Sequence, residues 1–272
     1  MKMPAWSFLV VLLITYFNVP LIEAAFAIHE RPKLESRILG GSSATISQVP
    51  YQLSLRSDGS HFCGAAILSS EYALTAAHCI DPSLELSKVQ VVSGATFLNA
   101  GGSVSAIQSV EVHPNYNRKT MDYDIAVIKV RQPFTMSATV APIALPRAGL
   151  VASPGAEAVI SGWGVSTAGD DEDIPNELQR AKISISNFRR CKLHYLFRMR
   201  VRITERMICA GTSNTISSCP GDSGGALVVN NVEVGITSFG PGPCGSSQLP
   251  GVYTNVADPE LRQWISSKTN GL

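Results

Sequence analysis

Ser218-Cys219-Pro220-Gly221-Asp222-Ser223-Gly224-Gly225 sets the Ser223 hydroxyl among three glycines and beside a carboxylate. Such a run builds neither good helix nor good strand, so its composition needs another reason. Gly221, Gly224 and Gly225 let the backbone take angles that a side chain forbids and let a second molecule come close. They also leave main-chain N–H groups free to face a developing negative charge. Ser223 therefore reads as a nucleophile.

The stretch fits G-x-S-x-G, which also marks the nucleophile elbow of α/β-hydrolases, so the local string does not choose the fold. Chain order does. An α/β-hydrolase places its catalytic histidine after the serine, whereas His29, His61, His78, His113 and His194 all precede Ser223. The order on offer is histidine, then aspartate, then serine.

Residues 1–27 read as a signal peptide. Lys2 supplies the charge, residues 8–17 the apolar run, and Ala24, Ala25 and Ala27 the small residues suited to cleavage. Asn18, Pro20 and Glu23 interrupt the run well short of the roughly 20 residues a membrane span needs, so secretion is expected. Residues 28–37 are polar and end in Glu35-Ser36-Arg37, directly before Ile38-Leu39-Gly40-Gly41. They read as an activation propeptide. A cut after Arg37 would expose Ile38 with a new α-amino group. Alone, Arg37 is equally an exposed arginine beside a strand; with Asp222 next to the nucleophile it becomes a switch. The mature domain is then 38–272.

The chain has 45% hydrophobic residues, ample for a globular core. Removing the first 37 residues takes four basic and three acidic residues from totals of 22 and 21, which evens the charge. Global charge thus points to neither nucleic acid nor a membrane as partner. Six cysteines in a secreted chain suggest three disulfides, in any of about 15 connectivities. The competing idea is zinc held by His61, Cys63, His78 and Cys79; the adjacency of His78 and Cys79 does not match the usual ligand spacings, and no metal or other cofactor is expected.

From residue 51 onward the pattern is short strands: 51–56, 61–68, 72–76, 88–93, 104–112, 124–130, 156–161, 181–185, 226–229, 233–238 and 251–256. Ser57-Asp58-Gly59-Ser60 reads as a turn. Helical periodicity is nearly absent, which predicts an all-β barrel or sandwich. The exception is the C-terminus, where Asp258 can cap, Pro259 suits the first helical position, and Leu261, Trp264 and Ile265 share a face. Prolines and small residues interrupt the strands over 133–154, a candidate boundary between two halves.

Thr75-Ala76-Ala77-His78-Cys79 sets a histidine among small residues at the end of an apolar strand. A lone histidine there is commonly a packed core residue. Pairing of Cys79 with the nearby Cys63 would close a short ring, worth ~3 kcal/mol in the loop-entropy model, and fix the His78 backbone. Asp124, just before Ile125-Ala126-Val127-Ile128, is the candidate third member, since a buried carboxylate can be satisfied by a histidine N–H. Asp122 is its rival, with a solvated loop acid as its plain role.

These segments, together with Ser161-Gly162-Trp163-Gly164 and Pro250-Gly251-Val252-Tyr253, resemble the marker segments of chymotrypsin-family (trypsin-like) serine proteases, in order from Ile38 to the C-terminal helix. The resemblance implies two six-stranded β-barrels with the active site in the cleft between them. It implies that Ser223 attacks a scissile carbonyl, His78 takes its proton, Asp124 orients the imidazole, and the amides of Gly221 and Ser223 bind the oxyanion. It pairs Cys63 with Cys79, Cys191 with Cys209 and Cys219 with Cys244. It implies that the Ile38 ammonium pairs with Asp222 once a trypsin-like protease has cut after Arg37. Pairing raises the pKa of that amine above its usual value near 8, so the processed form holds at neutral pH.

Ser217 matches the pocket floor, where family members that cut after Lys or Arg carry an aspartate. No acid stands between Glu205 and Asp222, so a buried cationic side chain would lack a partner. Gly240 and Gly251 match the pocket walls and leave it open, and backbone groups of Ser238, Phe239 and Gly240 match the strand that pairs with substrate. Large apolar residues before the cut are expected, with elastase-like or collagen-cutting taste as the alternative. Pro220, Phe239 and Ala226 depart from the family pattern and bear on fine selectivity. A non-catalytic binding homologue is the reading from another class; such proteins typically lose a triad member, and none is lost here.

Two charge clusters remain. Asp170-Asp171-Glu172-Asp173 matches a loop bordering the cleft, and Arg189, Arg190, Lys192, Arg198, Arg200, Arg202 and Arg206 crowd around Cys191. Alternation over 198–203 suggests a strand with one basic face. Solvated faces explain both clusters, and a preference for basic residues after the cut and acidic ones well before it is the sharper reading. No N-x-S/T sequon occurs, so N-glycans are not expected. The expected partners are protein or peptide substrates, an activating trypsin-like protease and protein protease inhibitors. A monomer with a digestive role is expected, without nucleic acid or membrane.

Overall fold

Val89 and Val91 are buried on either side of exposed Gln90, and Ala181 and Ile183 on either side of exposed Lys182, as strands with one face toward a core require. The computed structural model describes residues 41–165, 174–211, 218–241 and 249–272. The expected signal peptide and propeptide, the expected cut between Arg37 and Ile38, the 170–173 acidic cluster, Ser217 and Cys244 lie outside the described residues.

After β1 (Ser42–Ser43) the first half contains β2 (Gln52–Ser57), β3 (Ser60–Ile67), β4 (Tyr72–Thr75), β5 (Val89–Ser93), β6 (Ser103–Val112) and β7 (Ala126–Val130). These six close a barrel in the order β2-β3-β4-β7-β6-β5, with β5 pairing back onto β2. Asp58 and Gly59 both take positive φ, 49° and 83°, between the paired residues Ser57 and Ser60. That is the turn whose twist matches two right-twisted strands.

The second half contains β8 (Glu157–Gly162), β9 (Gln179–Ser184), β10 (Met207–Ala210), β11 (Ala226–Val229), β12 (Val232–Phe239) and β13 (Gly251–Asn255). Together with β1 they form a seven-stranded sheet in the order β1-β9-β8-β11-β12-β13-β10. The sheet curls until chain beyond β9 meets β10, through an Ile185 to Ala210 bridge and bonds of 2.8 and 2.9 Å from Ser186 N to Cys209 O and from Gly211 N to Ser184 O. The all-β expectation therefore holds, with the second half joined at one bridge rather than along a ladder. Between β7 and β8 the chain makes only isolated bridges.

Two helices complete the fold. α1 (Phe188–Met199) overturns the expectation of a nearly helix-free body, and its continuation at 200–206 is irregular, so the strand read into 198–203 is not formed. Asn187 caps α1 by accepting from Arg190 N, and the disulfide from Cys191 to Cys209 ties it to β10. The basic side chains spoiled the apolar period that would have marked this helix, and the alternation of arginine with Val201 and Ile203 imitated a strand. α2 (Pro259–Lys268) is the predicted C-terminal helix: Asp258 accepts from Glu260 N and Leu261 N, and Leu261 and Ile265 enter the core shared with the first barrel.

One core position runs against solvation rules. Glu233 in β12 is fully buried, and neither carboxylate oxygen is hydrogen-bonded by a protein group among the described residues. Burial pushes its pKa well above the ordinary glutamate value, and Tyr51, which feels the Glu233 charge, is itself pushed up to about 12, chiefly by burial. The folded state therefore holds the Glu233 proton more tightly than the unfolded chain does. Stability from this group is complete below the unfolded glutamate pKa and is lost as pH rises through the raised folded value, at up to about 1.4 kcal/mol per pH unit. Glu233→Gln should remove that slope, so urea midpoints at pH 5 and pH 9 should converge relative to the parent.

Candidate active site

β4 ends at Thr75 and passes into a single 3-10 turn, Ala77–Cys79, which presents His78. The disulfide from Cys63 to Cys79 pins that turn to β3. It also occupies both sulfurs of the one cluster with metal-ligand spacing among the described residues, Cys63, His78 and Cys79, so the cysteines are not thiolate ligands.

Asp124, just ahead of β7, is completely buried and accepts three hydrogen bonds. His78 N donates to Oδ1 at 2.9 Å, while His78 Nδ1 at 2.8 Å and Ser238 Oγ at 2.5 Å converge on Oδ2. The Asp124 carbonyl accepts from Thr254 Oγ1 at 2.7 Å. Two donors on one oxygen fix the carboxylate plane, and with it the ring and its tautomer: the Nδ1 proton faces Asp124, leaving Nε2 as the basic nitrogen. The His78 side chain is 22% exposed, so that nitrogen faces outward from a buried pair.

The rival acid plays another part. Asp122 accepts from Arg206 Nε and Nη2 at 2.9 and 2.6 Å and from Thr204 Oγ1 at 2.9 Å. Only 16% of its side chain is exposed, so it is a bidentate ion pair joining the two halves rather than a solvated loop acid. These hydrogen bonds and the Arg206 charge, acting against partial burial, hold its pKa below the usual carboxylate range.

The Ser223 loop lies against the strand that leads to His78. Gly64 N donates to Ser223 O at 2.7 Å, and a Cβ on Gly224 would strike Thr75 Oγ1 and Gly64 O. Gly221 and Gly224 hold φ of +95° and +79°, the left-handed region that favours glycine. The resulting turn divides the loop amides into two sets. Asp222 N, Gly224 N and Gly225 N are used internally, on Cys219 O, Thr237 O and Asp222 O at 2.9, 2.9 and 3.0 Å. The amides of Gly221 and Ser223 donate to no group among the described residues. Ser223 itself is half-buried and its hydroxyl makes no hydrogen bond to the His78 ring in this structure.

Asp222 points the other way. Its carboxylate is buried and accepts from Gly164 N at 2.8 Å and Cys219 N at 2.9 Å. A Cβ on Gly162 or Gly164 would run into that carboxylate, which explains the glycines flanking Trp163. Burial pushes the Asp222 pKa up to about 6 against the two amide bonds, and among the described residues no cation pairs with it.

Several supporting residues carry no signal in the string. His61 Nε2 bonds Gly221 O and its Nδ1 bonds Ser54 Oγ, both at 2.9 Å. Its ring stands edge-on to Trp163, and burial pushes its pKa down to about 4, so it stays neutral while holding the carbonyl end of the loop. Ser161 Oγ donates to Gln52 Oε1 at 2.7 Å between the halves. Ser238 was expected to act through its backbone; its hydroxyl on Asp124 is the added finding. Phe239 meets Tyr195 edge-on at 6.0 Å between ring centres, a Gly240 Cβ would meet nothing within 4 Å among the described residues, and a Cβ on Gly251 would meet the Tyr253 ring at 3.3 Å. Cys219 is buried and its expected partner Cys244 is among the undescribed residues.

Comparison with known proteins agrees with this architecture. The family model for Trypsin matches residues 38–265. Trypsin alpha of Drosophila melanogaster is 41% identical over 242 residues, covering 89% of this chain and 91% of that protein. Trypsin alpha-4 of Lucilia cuprina is 39% identical over 241 residues, again 89% and 91%. Among solved structures, mouse neuropsin, described as a serine protease expressed in the limbic system of the brain, superposes with a TM-score of 0.77 at 32% identity, covering 85% of this chain and 99% of its own. A match of that extent, on a fold with this barrel and this serine loop, places the chain in the trypsin family, and it is a serine endopeptidase.

Proposed function

We propose that the chain is a secreted endopeptidase, made as a zymogen, that cuts after large apolar or aromatic residues through an acyl-enzyme formed on Ser223. The observation that carries this reading is the pairing, on one short loop, of a serine with two amides that donate to no group among the described residues, packed against the strand that leads to a histidine whose tautomer is fixed by a buried carboxylate. His78 Nε2 would take the Ser223 proton as the hydroxyl attacks, Asp124 would stabilise the imidazolium, and the amides of Gly221 and Ser223 would receive the oxyanion. The Ser223 hydroxyl would have to come within hydrogen-bond reach of the ring, and such bonds often tighten when substrate binds.

Asp222 supports the zymogen part. A buried carboxylate with no cationic partner is unfavourable, and a new ammonium at Ile38 supplies one, so cleavage after Arg37 would convert a cost into an ion pair next to the oxyanion amides.

The preference before the cut rests on Ser217, on the absence of any acid between Glu205 and Asp222, and on Gly240, which carries no side chain to narrow the pocket wall. Relatives from flies are called trypsins, which makes cleavage after Arg or Lys the second reading. One experiment separates them: process the proenzyme with trypsin, remove the trypsin, and compare kcat/KM on peptides with Phe, Leu, Ala and Arg before the cut. Phe and Leu should exceed Arg by at least a hundredfold, since a buried unpaired cation costs several kcal/mol. Arg as the best substrate would overturn the pocket assignment, and Ala as the best would favour the elastase-like alternative. The uncut proenzyme should be inactive on all four.

A further inference from the structure

α1 presents its apolar side chains to solvent. Cys191 and Tyr195, one turn apart, face inward: Cys191 is bonded to Cys209, and Tyr195 donates to Pro250 O at 2.6 Å. The opposite face, by the 100° step of a helix, carries Leu193 and Phe197, with Leu196, Arg189 and Arg190 on its flanks. Leu193 is 51% exposed, Leu196 47%, Phe197 78% and Met199, at the helix end, 40%. An ordinary surface helix places charge there and apolar residues within.

The surroundings are equally one-sided. Arg189, Arg190, Lys192, Arg198, Arg200 and Arg202 fall within residues 188–202, a span without a single aspartate or glutamate. Lys192 pairs with Glu205 at 3.2 Å, whereas the five arginines make no salt bridge among the described residues. Near-even global charge conceals this local excess.

We propose that the outer face of α1 docks the protein onto an anionic lipid bilayer surface. Phe197, Leu193 and Leu196 would enter the boundary between headgroups and acyl chains, and the arginines would meet the lipid phosphates and carboxylates, the two contributions that hold interfacial helices. No helix among the described residues is long and apolar enough to cross a membrane, so α1 would lie flat. A soluble polyanion would use the arginines and leave Phe197 and Leu193 idle. A second copy docked face to face would bring Arg189 and Arg190 against the same arginines of the other copy. The expectation of no membrane partner came from net charge alone, which averages this patch away.

The test is cosedimentation of processed Ser223→Ala protein, which cannot digest itself, with phosphatidylcholine vesicles containing about 30% phosphatidylserine and with phosphatidylcholine alone, near 0.1 M salt. The protein should pellet with the anionic vesicles only and be released at about 1 M salt. Arg189→Gln/Arg190→Gln should weaken partitioning by about twenty-five-fold, at roughly fivefold per charge. Leu193→Ser/Phe197→Ser should weaken it at least tenfold. All these side chains are exposed, and an unchanged thermal midpoint verifies the fold. Absence of vesicle binding, binding untouched by the Leu193 and Phe197 changes, retention on heparin without vesicle binding, or a dimer that Phe197→Ser dissolves would each overturn the proposal.

Discussion

Ser223→Ala should lower kcat of the processed enzyme by about a million-fold, with KM nearly unchanged. The loss follows from a division of labour. In the proposed mechanism the nucleophile, its base and the orienting carboxylate act as a unit, while the amides of Gly221 and Ser223 and the substrate strand act without them. His78→Ala should therefore cost about as much as Ser223→Ala, and the double variant should be no worse than either, with about a thousandfold acceleration over water remaining from the amides and binding. Strictly additive losses in kcat would mean that the two side chains serve different steps, contrary to the arrangement around Asp124. Alanine removes a half-buried hydroxyl that makes no hydrogen bond among the described residues, so the fold should be unaffected, and circular dichroism checks this.

Asp124→Asn should lower kcat at neutral pH by about ten thousandfold, although the substitution is isosteric. Each carboxylate oxygen already faces donors: the His78 backbone N–H on Oδ1, and the ring Nδ1–H with the Ser238 hydroxyl on Oδ2. An amide has one acceptor oxygen. Whichever way it is turned, its NH2 meets an N–H of His78, either in the backbone, where nothing can rotate, or at Nδ1, where the ring must take the other tautomer. In the second case Nε2 carries the proton and no longer accepts one from Ser223. Ser238→Ala makes a useful contrast, since it removes one donor without disturbing the pair and should cost far less. Stopped-flow kinetics on an ester and on a peptide with the same residue before the cut would show whether the loss lies in the proton-transfer step.

Most of the fold could be read before any coordinate because strands with one buried face alternate, as Val89 and Val91 do around Gln90 and Ala181 and Ile183 around Lys182. Strands whose neighbours decide their burial were harder. β10, Met207–Ala210, is buried on both sides between β13 and α1, and such a run has no period to detect. α1 escaped for the opposite reason, since its outward face is apolar and its inward face holds just Cys191 and Tyr195 with a partly buried Phe188. The site was legible where chemistry is local, as at Ser223 among its glycines and His78 beside Cys79. It was not legible where partners come from far along the chain. Nothing near Ser238, His61 or Thr254 announces that they hold Asp124 or the loop, because those bonds span 114 residues from Ser238, 160 from His61 and 130 from Thr254. Asp122 could be told from Asp124 only by the Arg206 guanidinium that claims it.

The most direct test of the central claim is to trap the covalent intermediate. Processed protein is mixed with an excess of a slowly deacylating aromatic ester, quenched in acid within the first turnover, and examined by intact mass and peptide mapping. The account predicts one acyl group per chain, on the peptide containing Ser223, absent from Ser223→Ala and from the uncut proenzyme. An acyl group on another residue, or rapid ester turnover with no adduct at any quench time, would contradict it.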